Sequence, residues 1–230
     1  LLRARAPRAL IDLNRAPEDI DWEMFARGKP PGVGSYTPGL RARSGLGLIP
    51  RRVPGLGELW KRHHDEDELE LRLGSIHRPY HDCLATTLDD LRQRWGAALL
   101  LDLHSMPPLG WQGGRPGPEF VLGDRFGASC HGALVSAAFS YFAEKRRVAA
   151  HNRPYAGGYV LERHADPGQG RHGLQLEIDR SSYLDARLAE LGAGFAPMVE
   201  LLCALVRRLA GEVAELGQNS DSDNGRLAAE

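Results

Sequence analysis

Hydrophobic residues recur at helical spacing in three stretches of the chain. From Glu66 to Trp95 apolar side chains return every three or four positions, which predicts a helix, and Pro79 is expected to kink or split it. Helices are also predicted near 128–146 and over 184–216, the second with an interruption by glycine and proline at 192–197. These stretches alternate with segments of a different pattern.

The other pattern is typical of strands. The run AALLLDLH (97–104) is continuously apolar before its polar end, which predicts a strand covered on both faces. The segment GLQLEIDR (173–180) alternates apolar and polar residues, as a strand does. Shorter strands are predicted at Ala9–Leu13 and in RVAAH (147–151), and a loop or hairpin between 152 and 173.

Strands separated by helices favour an α/β fold, a three-layer sandwich around a mixed, largely parallel sheet. We assign residues 1–217 to one such domain and the polar residues 218–230 to a disordered tail. Residues 28–57 are rich in glycine and proline and predict a long functional loop.

Composition excludes several classes of protein. The formal net charge of −1 gives no field that would recruit nucleic acid or an anionic membrane. No apolar run is long enough to cross a bilayer, so we expect a soluble, cytoplasmic protein. Cys83, Cys130 and Cys203 are scattered, which argues against disulfides and a thiolate zinc site. Cys130 is interpreted as a buried structural thiol, and a nucleophile is the alternative. The sequence pattern assigns no oligomeric state.

Three predicted strand ends carry side chains with useful chemistry. His104 ends an apolar strand and is either a metal ligand or a hydrogen-bonded structural histidine. Asn14 and Arg15 suit a carboxylate, although a surface salt bridge and a turn explain them equally. Glu177 lies between apolar neighbours and is either a general base or acid, or a structural partner of Arg180.

Several motifs occur together and in order: IDLNR, LLLDLHSMP, NRPYAGGY and GLQLEIDRSSYLD, accompanied by RPYH and FVLGDRFGASC. In this combination the chain resembles the N-formylglutamate amidohydrolase family, from about residue 8 to about residue 190. That family is similar in fold to the zinc carboxypeptidases. The resemblance implies hydrolysis of N-formyl-L-glutamate to formate and L-glutamate, as in histidine degradation.

The resemblance also implies roles for individual residues. Asn14 and Arg15 match the pair that binds the substrate carboxylate, His104 matches the last ligand of a single zinc ion, and Glu177 matches the catalytic carboxylate. The implied partner is a small N-acyl amino acid.

The family's other two zinc ligands, a histidine in a PHSG-like turn and an acidic residue, precede the Asn-Arg pair. Here the stretch LLRARAPRALIDL before Asn14 contains no histidine, and its one acid is Asp12. We therefore expect an N-terminally truncated enzyme or a metal-free homologue that binds a small carboxylate; a related N-acyl amino acid hydrolase is a third interpretation. His77 and His81, four residues apart, could hold a metal ion or form hydrogen bonds.

Overall fold

The computed structural model describes residues 1–29, 39–53, 57–110, 114 and 117–227 of the 230. The chain divides into two compact units, which we call the first unit (Leu1–Thr86) and the second unit (Thr87–Glu230). Each is described by itself below. The assignment of residues 1–217 to one domain stays a prediction.

The first unit is built from short elements around a small core. They are α1 (Leu40–Arg43), β1 (Arg52–Val53), β2 (Gly57–Glu58), α2 (Glu66–Arg72) and the start of α3 (Arg78–Trp95), with a 3₁₀ turn at Trp22–Met24. Strands β1 and β2 form an antiparallel pair. The core contains eight buried side chains: Ile11, Ile20, Met24, Phe25, Leu48, Ile49, Leu69 and Leu73.

The helix predicted over 66–95 is present, and its interruption has a clear cause. Between α2 and α3 lies one π-helical turn, Leu73–His77, in which the backbone N–H of Arg78 donates to the carbonyl of Leu73. Pro79 has no N–H for the α-helical hydrogen bond and its ring crowds the preceding turn. Widening the helix just before the proline accommodates both effects.

The strand predicted at residues 9–13 is wrong, because this segment forms turns. The Asp12 carboxylate accepts a hydrogen bond from the backbone N–H of Asn14 at 3.0 Å, and the carbonyl of Asp12 accepts one from Arg15. Such local bonds compete with a strand ladder for the same backbone groups. The backbone N–H of Asp12 does reach the carbonyl of Leu48, at 2.7 Å, which anchors the turn in the first unit.

Among its described residues, the second unit contains a four-stranded sheet and three complete helices, with the following bounds. They are β3 (Ala98–Met106), β4 (Phe120–Gly123), α4 (Gly132–Glu144), β5 (Ala149–His151), α5 (Tyr159–His164), β6 (Arg171–Asp179) and α6 (Phe195–Leu227). The strand order is β3-β6-β4-β5. The pairs β3/β6 and β4/β5 are parallel and β6/β4 is antiparallel, so the predicted α/β fold with a mixed, largely parallel sheet is confirmed.

Strand β6 shows why the sheet has two chemically different faces. Leu174, Leu176 and Ile178 pack with residues of α4 and α6 in the hydrophobic core of the second unit, which we call the main core. On the other face, an added Cβ at Gly173 would lie 3.2 Å from Leu161 of α5, so this helix covers that side. Glu177 lies on the face of Gly173, because side chains alternate along a strand.

Several boundaries differ from the prediction. Helix α5 lies where a loop or hairpin was predicted, and β4 was not predicted. The last helix begins at Phe195 rather than at 184, and it includes residues 218–227 of the predicted tail. Strand β3 is less covered than expected, with Leu103 44% exposed, because it is an end strand within the described sheet. Within the described ranges, no helix combines the length and apolarity needed to cross a bilayer.

Candidate active site

Four polar side chains share the sheet face opposite the main core; we call them the polar quartet. In the parallel register of β3 and β6, His104 pairs with Glu177 and Asp102 pairs with Gln175. Partners in register on neighbouring strands point to the same face, and the strands lie about 4.8 Å apart. The structure therefore places His104 and Glu177 side by side.

Hydrogen bonds within the polar quartet run along each strand. His104 Nε2 lies 2.8 Å from Asp102 Oδ2, and Gln175 Nε2 donates to Glu177 Oε1 at 3.1 Å. An ionised carboxylate only accepts hydrogen bonds, so Nε2 of His104 is the donor. Glu177 is 8% exposed and Gln175 is 4% exposed, so this pair is buried.

Strand β4 brings the motif segment 152–159 over the same face. Gly123 pairs with Gln175 in the antiparallel register, and a Cβ at Gly123 would lie 2.6 Å from the carbonyl carbon of Ala156. Only glycine allows this approach. The backbone N–H of Arg125 also donates to the carbonyl of Ala156 at 2.7 Å, which fixes the crossing segment beside the polar quartet.

A second polar cluster lies at the ends of β4 and β5. Asn152, at φ +59°, donates from Nδ2 to Asp124 Oδ1 at 2.7 Å and accepts the backbone N–H of Asp124 at 3.0 Å. Both side chains are buried, and His151 Nε2 lies 3.1 Å from the same carboxylate oxygen. These bonds hold the left-handed turn at Arg125 and Phe126, so the cluster supports the backbone of the site.

In the first unit, Arg15 is held in a well-defined orientation. Its Nε donates to the carbonyl of Leu46 at 3.0 Å and its Nη1 to the carbonyl of Asn14 at 2.7 Å. Burial lowers the pKa of the Arg15 guanidinium, an effect that Asp12 partly opposes. Within the described residues Nη2 has no hydrogen-bond partner, which suits a further carboxylate ligand.

The histidine pair of the π turn and α3 supports the same segment. His77 Nε2 lies 3.0 Å from the carbonyl oxygen of Arg15, and His81 Nε2 lies 3.1 Å from that of Leu13. A carbonyl oxygen only accepts, so both nitrogens donate. Both side chains are fully buried. The hydrogen-bonding interpretation of this pair is confirmed, and its role is to hold the backbone of the Asn-Arg segment.

Known proteins share both the sequence and the fold of this chain. The family model described as N-formylglutamate amidohydrolase matches residues 1–184. The chain belongs to the N-formylglutamate amidohydrolase family. It is 32% identical over 192 residues to an N-formylglutamate deformylase of Pseudomonas putida, an alignment that covers 80% of this chain and 64% of that relative. The chain thus spans just under two thirds of that relative's length.

Two further relatives support the family. A deformylase of Pseudomonas aeruginosa is 27% identical over 223 residues, covering 94% of this chain and 76% of its own length. The crystal structure of N-formylglutamate amidohydrolase from Ralstonia eutropha JMP134 matches with a TM-score of 0.75 and 32% identity, over 94% of this chain and 76% of that one. A protein of Agrobacterium tumefaciens, Atu2144, shares the fold at a TM-score of 0.58 and 18% identity, over 89% and 67% of the two chains.

In this family member the predicted site residues fall into two pairs. His104 and Glu177 lie together in the second unit, whereas Asn14 and Arg15 lie in the first. Convergence of the two pairs on one small molecule stays a prediction, as do the four roles. Asp102 and Gln175 were missed by sequence reasoning, although each stands two residues before a predicted site residue and therefore shares its face of the strand.

The residues that the structure describes do not make a complete zinc site. Catalytic zinc takes three protein ligands, and the described ranges contain no group of three His, Cys, Asp or Glu side chains that could hold a metal ion. Cys130 is no alternative nucleophile. Burial, with a smaller contribution from Asp124, raises its pKa to about 12, so the buried structural thiol is the correct interpretation.

An apolar cavity of about 410 Å³ also lies in the second unit. Its walls include Leu99 and Leu101 of β3 and Val206 and Leu209 of α6. Because Leu101 pairs with Leu174 in the register, this cavity is on the core face of the sheet and not beside the polar quartet. The side chains of its walls are apolar, so the cavity supplies no acid, base or nucleophile.

Proposed function

We propose that this protein hydrolyses N-formyl-L-glutamate to formate and L-glutamate. The proposal is supported by the family and by the names of the two Pseudomonas relatives. The observation that carries it is the placement of His104 beside Glu177 on the polar sheet face. A buried carboxylate next to an imidazole is a suitable arrangement for general acid–base chemistry on an amide.

Glu177 is the proposed general base. It takes a proton from the attacking water as the water oxygen bonds to the formyl carbon. The same proton then passes to the leaving nitrogen as the C–N bond breaks, which releases formate and the free amino group.

Arg15 and Asn14 are the proposed binding residues for a substrate carboxylate. The fixed Nε and Nη1 contacts of Arg15 remove much of the rotamer freedom that binding would otherwise cost. Lysine cannot reproduce the planar fork, so Arg15→Lys is expected to raise KM more than it lowers kcat.

Zinc binding, with His104 as one ligand, and a place in histidine degradation are parts of the proposal that come from the family resemblance. No step above is assigned to the metal, because the described residues do not complete its ligand set. The orientation in which Arg15 is held favours a second candidate function, that of a metal-free homologue that binds a small carboxylate. Elemental analysis of the purified chain separates the two: zinc near one equivalent supports the enzyme.

The deciding experiment measures L-glutamate release from N-formyl-L-glutamate by the parent protein and by Glu177→Gln. The amide cannot accept the water proton, so we expect kcat/KM to fall about 10²–10⁴-fold. Glu144→Gln, on an exposed part of α4, is the matched control and should match the parent. An active Glu177→Gln protein would remove the base assignment, whereas an inactive parent that still binds glutamate by calorimetry would support the carboxylate-binding homologue.

A further inference from the structure

We propose that Arg41 binds the second carboxylate of the substrate, next to the carboxylate that is assigned to Arg15. The inference rests on the proposed function, because N-formyl-L-glutamate carries two carboxylates and Arg15 supplies a single planar fork. A site that pairs one of the two charges does not distinguish this substrate from an analogue that lacks the other. Selection of a dicarboxylic substrate therefore requires a second cation within reach of the same molecule.

The segment that contains Arg15 is fastened to the segment that contains Arg41. Asp19, four residues after Arg15, makes both of the bonds that join them. Its carbonyl accepts the backbone N–H of Leu48 at 2.7 Å, and its Oδ1 accepts the backbone N–H of Gly39 at 3.1 Å. Helix α1, which carries Arg41, begins at the residue after Gly39. The position of Arg41 is thus set relative to the Asn-Arg segment.

Leu46 links the guanidinium of Arg15 to the backbone of Arg41. Its carbonyl accepts the bond from Arg15 Nε at 3.0 Å, and its N–H donates to the carbonyl of Arg41 at 2.7 Å. The carbonyl of Arg41 also accepts the hydroxyl of Ser44 at 2.8 Å, which closes the turn after α1. A single residue therefore separates the two arginines along this chain of hydrogen bonds.

The charged groups around Arg15 differ in what they already bind. Burial is the main cause that lowers the pKa of the Arg15 guanidinium, and the positive charges of Arg8 and Arg41 lower this pKa further. Asp12 and Asp19 oppose the effect. Arg8 donates from Nε to Asp12 Oδ2 at 2.9 Å, so these two charges are paired. Within the described part of the chain, the exposed side chain of Arg41 has no hydrogen-bond or ion-pair partner.

This arrangement suits a short dicarboxylate. The five charged groups carry one more positive than negative charge, so the surroundings of Arg15 attract an anion. Arg15 is held by two carbonyls and offers a fixed binding group, whereas the exposed side chain of Arg41 is able to adapt to the position of the second carboxylate.

Arg43 provides a matched control on the same helix. Successive residues of an α-helix turn by about 100°, so Arg43 leaves α1 in nearly the opposite direction from Arg41. It is exposed like Arg41, and it is not among the main charges that act on the pKa of Arg15. Replacing either arginine by glutamine removes one positive charge from α1, but only Arg41→Gln removes the charge that lies near Arg15.

The first test measures kcat/KM of the parent, Arg41→Gln and Arg43→Gln with three substrates. They are N-formyl-L-glutamate, N-formyl-L-glutamine, which lacks the side-chain charge, and N-formyl-4-aminobutyrate, which lacks the α-carboxylate. We expect Arg41→Gln to lower kcat/KM for N-formyl-L-glutamate about 5–20-fold, mainly through KM, because water screens part of the charge of an exposed arginine. The melting temperature should be retained, because the side chain is exposed.

The two analogues show which carboxylate Arg41 binds. For the analogue that lacks this carboxylate, Arg41→Gln should stay within about twofold of the parent, since the interaction is already absent. Arg43→Gln should match the parent with all three substrates. A parent-like kcat/KM of Arg41→Gln for N-formyl-L-glutamate, or an equal loss with all three substrates, overturns the role of Arg41.

The second test does not depend on turnover. Calorimetry compares the binding of glutarate, a dicarboxylate, with that of butyrate, which has one carboxylate. The parent should bind glutarate more tightly, and Arg41→Gln should lose affinity for glutarate alone, about 5–20-fold. Equal binding of the two acids by the parent, or binding of neither, overturns the proposal. If the parent shows no turnover while its preference for glutarate depends on Arg41, the proposed function fails and the dicarboxylate site stands.

Discussion

Replacing Asn152 by alanine tests the cluster that supports the turn after β4. The substitution removes the hydrogen bond from Nδ2 to the buried carboxylate of Asp124 and leaves the backbone N–H of Asp124 without its acceptor. It also places alanine at a φ of +59°, a region that asparagine tolerates better than other side chains with a Cβ.

The three effects can be given magnitudes. A buried hydrogen bond to a charged group contributes about 2 kcal/mol, and a buried N–H without a partner costs about 1–2 kcal/mol. The left-handed backbone adds about 1 kcal/mol for alanine. His151 stays near Asp124 and offsets part of the loss, so we expect the free energy of unfolding to fall by about 4 kcal/mol.

The assay is urea denaturation followed by circular dichroism, together with a thermal melt. For a chain of this size the expected loss corresponds to a fall in melting temperature of about 8–16 °C. Asn152→Gly is the informative companion, because glycine loses the same hydrogen bonds but adopts the positive φ without strain. It should be more stable than Asn152→Ala by up to about 0.6 kcal/mol, after the larger entropy of the unfolded glycine chain is allowed for.

Two outcomes would refute this reasoning. If Asn152→Ala unfolds within about 1 kcal/mol of the parent, the buried pair with Asp124 does not stabilise the fold as argued. If Asn152→Gly is less stable than Asn152→Ala, the left-handed backbone is not a source of strain at this position.

Two further predictions concern the second unit. On α6, Gly211→Ala should raise the free energy of unfolding by about 0.5–1 kcal/mol, because an added Cβ meets nothing within 4 Å. Gly217→Ala should lower the free energy of unfolding, because its Cβ would lie 1.9 Å from the carbonyl oxygen of Trp95. Thermal melts of the two variants check both predictions. Burial lowers the pKa of His172 below its usual 6.5, and the nearby His131 lowers it further. The unfolded chain therefore binds the proton more readily than the folded chain, so the free energy of unfolding should decrease as pH falls below about 6.5. His172→Gln should flatten that loss between about pH 7.5 and about pH 5.5 in urea titrations, and an unchanged slope would contradict the assignment.

Local pattern was sufficient for the elements that pack by one continuous face. The alternation of Leu174, Leu176 and Ile178 with polar residues predicts β6. In the structure these three side chains pack in the main core, which is the reason for the alternation. Helical spacing likewise predicted α4 and the helix that contains Pro79. It failed at residues 9–13, where the Asp12 side chain bonds to nearby backbone and produces turns from an apolar stretch.

The candidate site shows the same division. The order of the motifs led to Asn14, Arg15, His104 and Glu177, and to the family that the comparison with known proteins supports. The two-residue spacing puts Asp102 and Gln175 on the same strand face as His104 and Glu177, but it does not give the contacts that these side chains make.

The sequence by itself determined the α/β class, the two long strands of the site and the chemical types of their polar residues, because periodicity and composition are local properties. The tertiary structure alone decided that His104 pairs with Glu177, that His77 and His81 hold the Asn-Arg segment, and that Gly123 admits a crossing chain. Strand register and buried hydrogen bonds join residues far apart in the chain. They are set by the packing of the whole unit, which a reading of neighbouring residues does not contain.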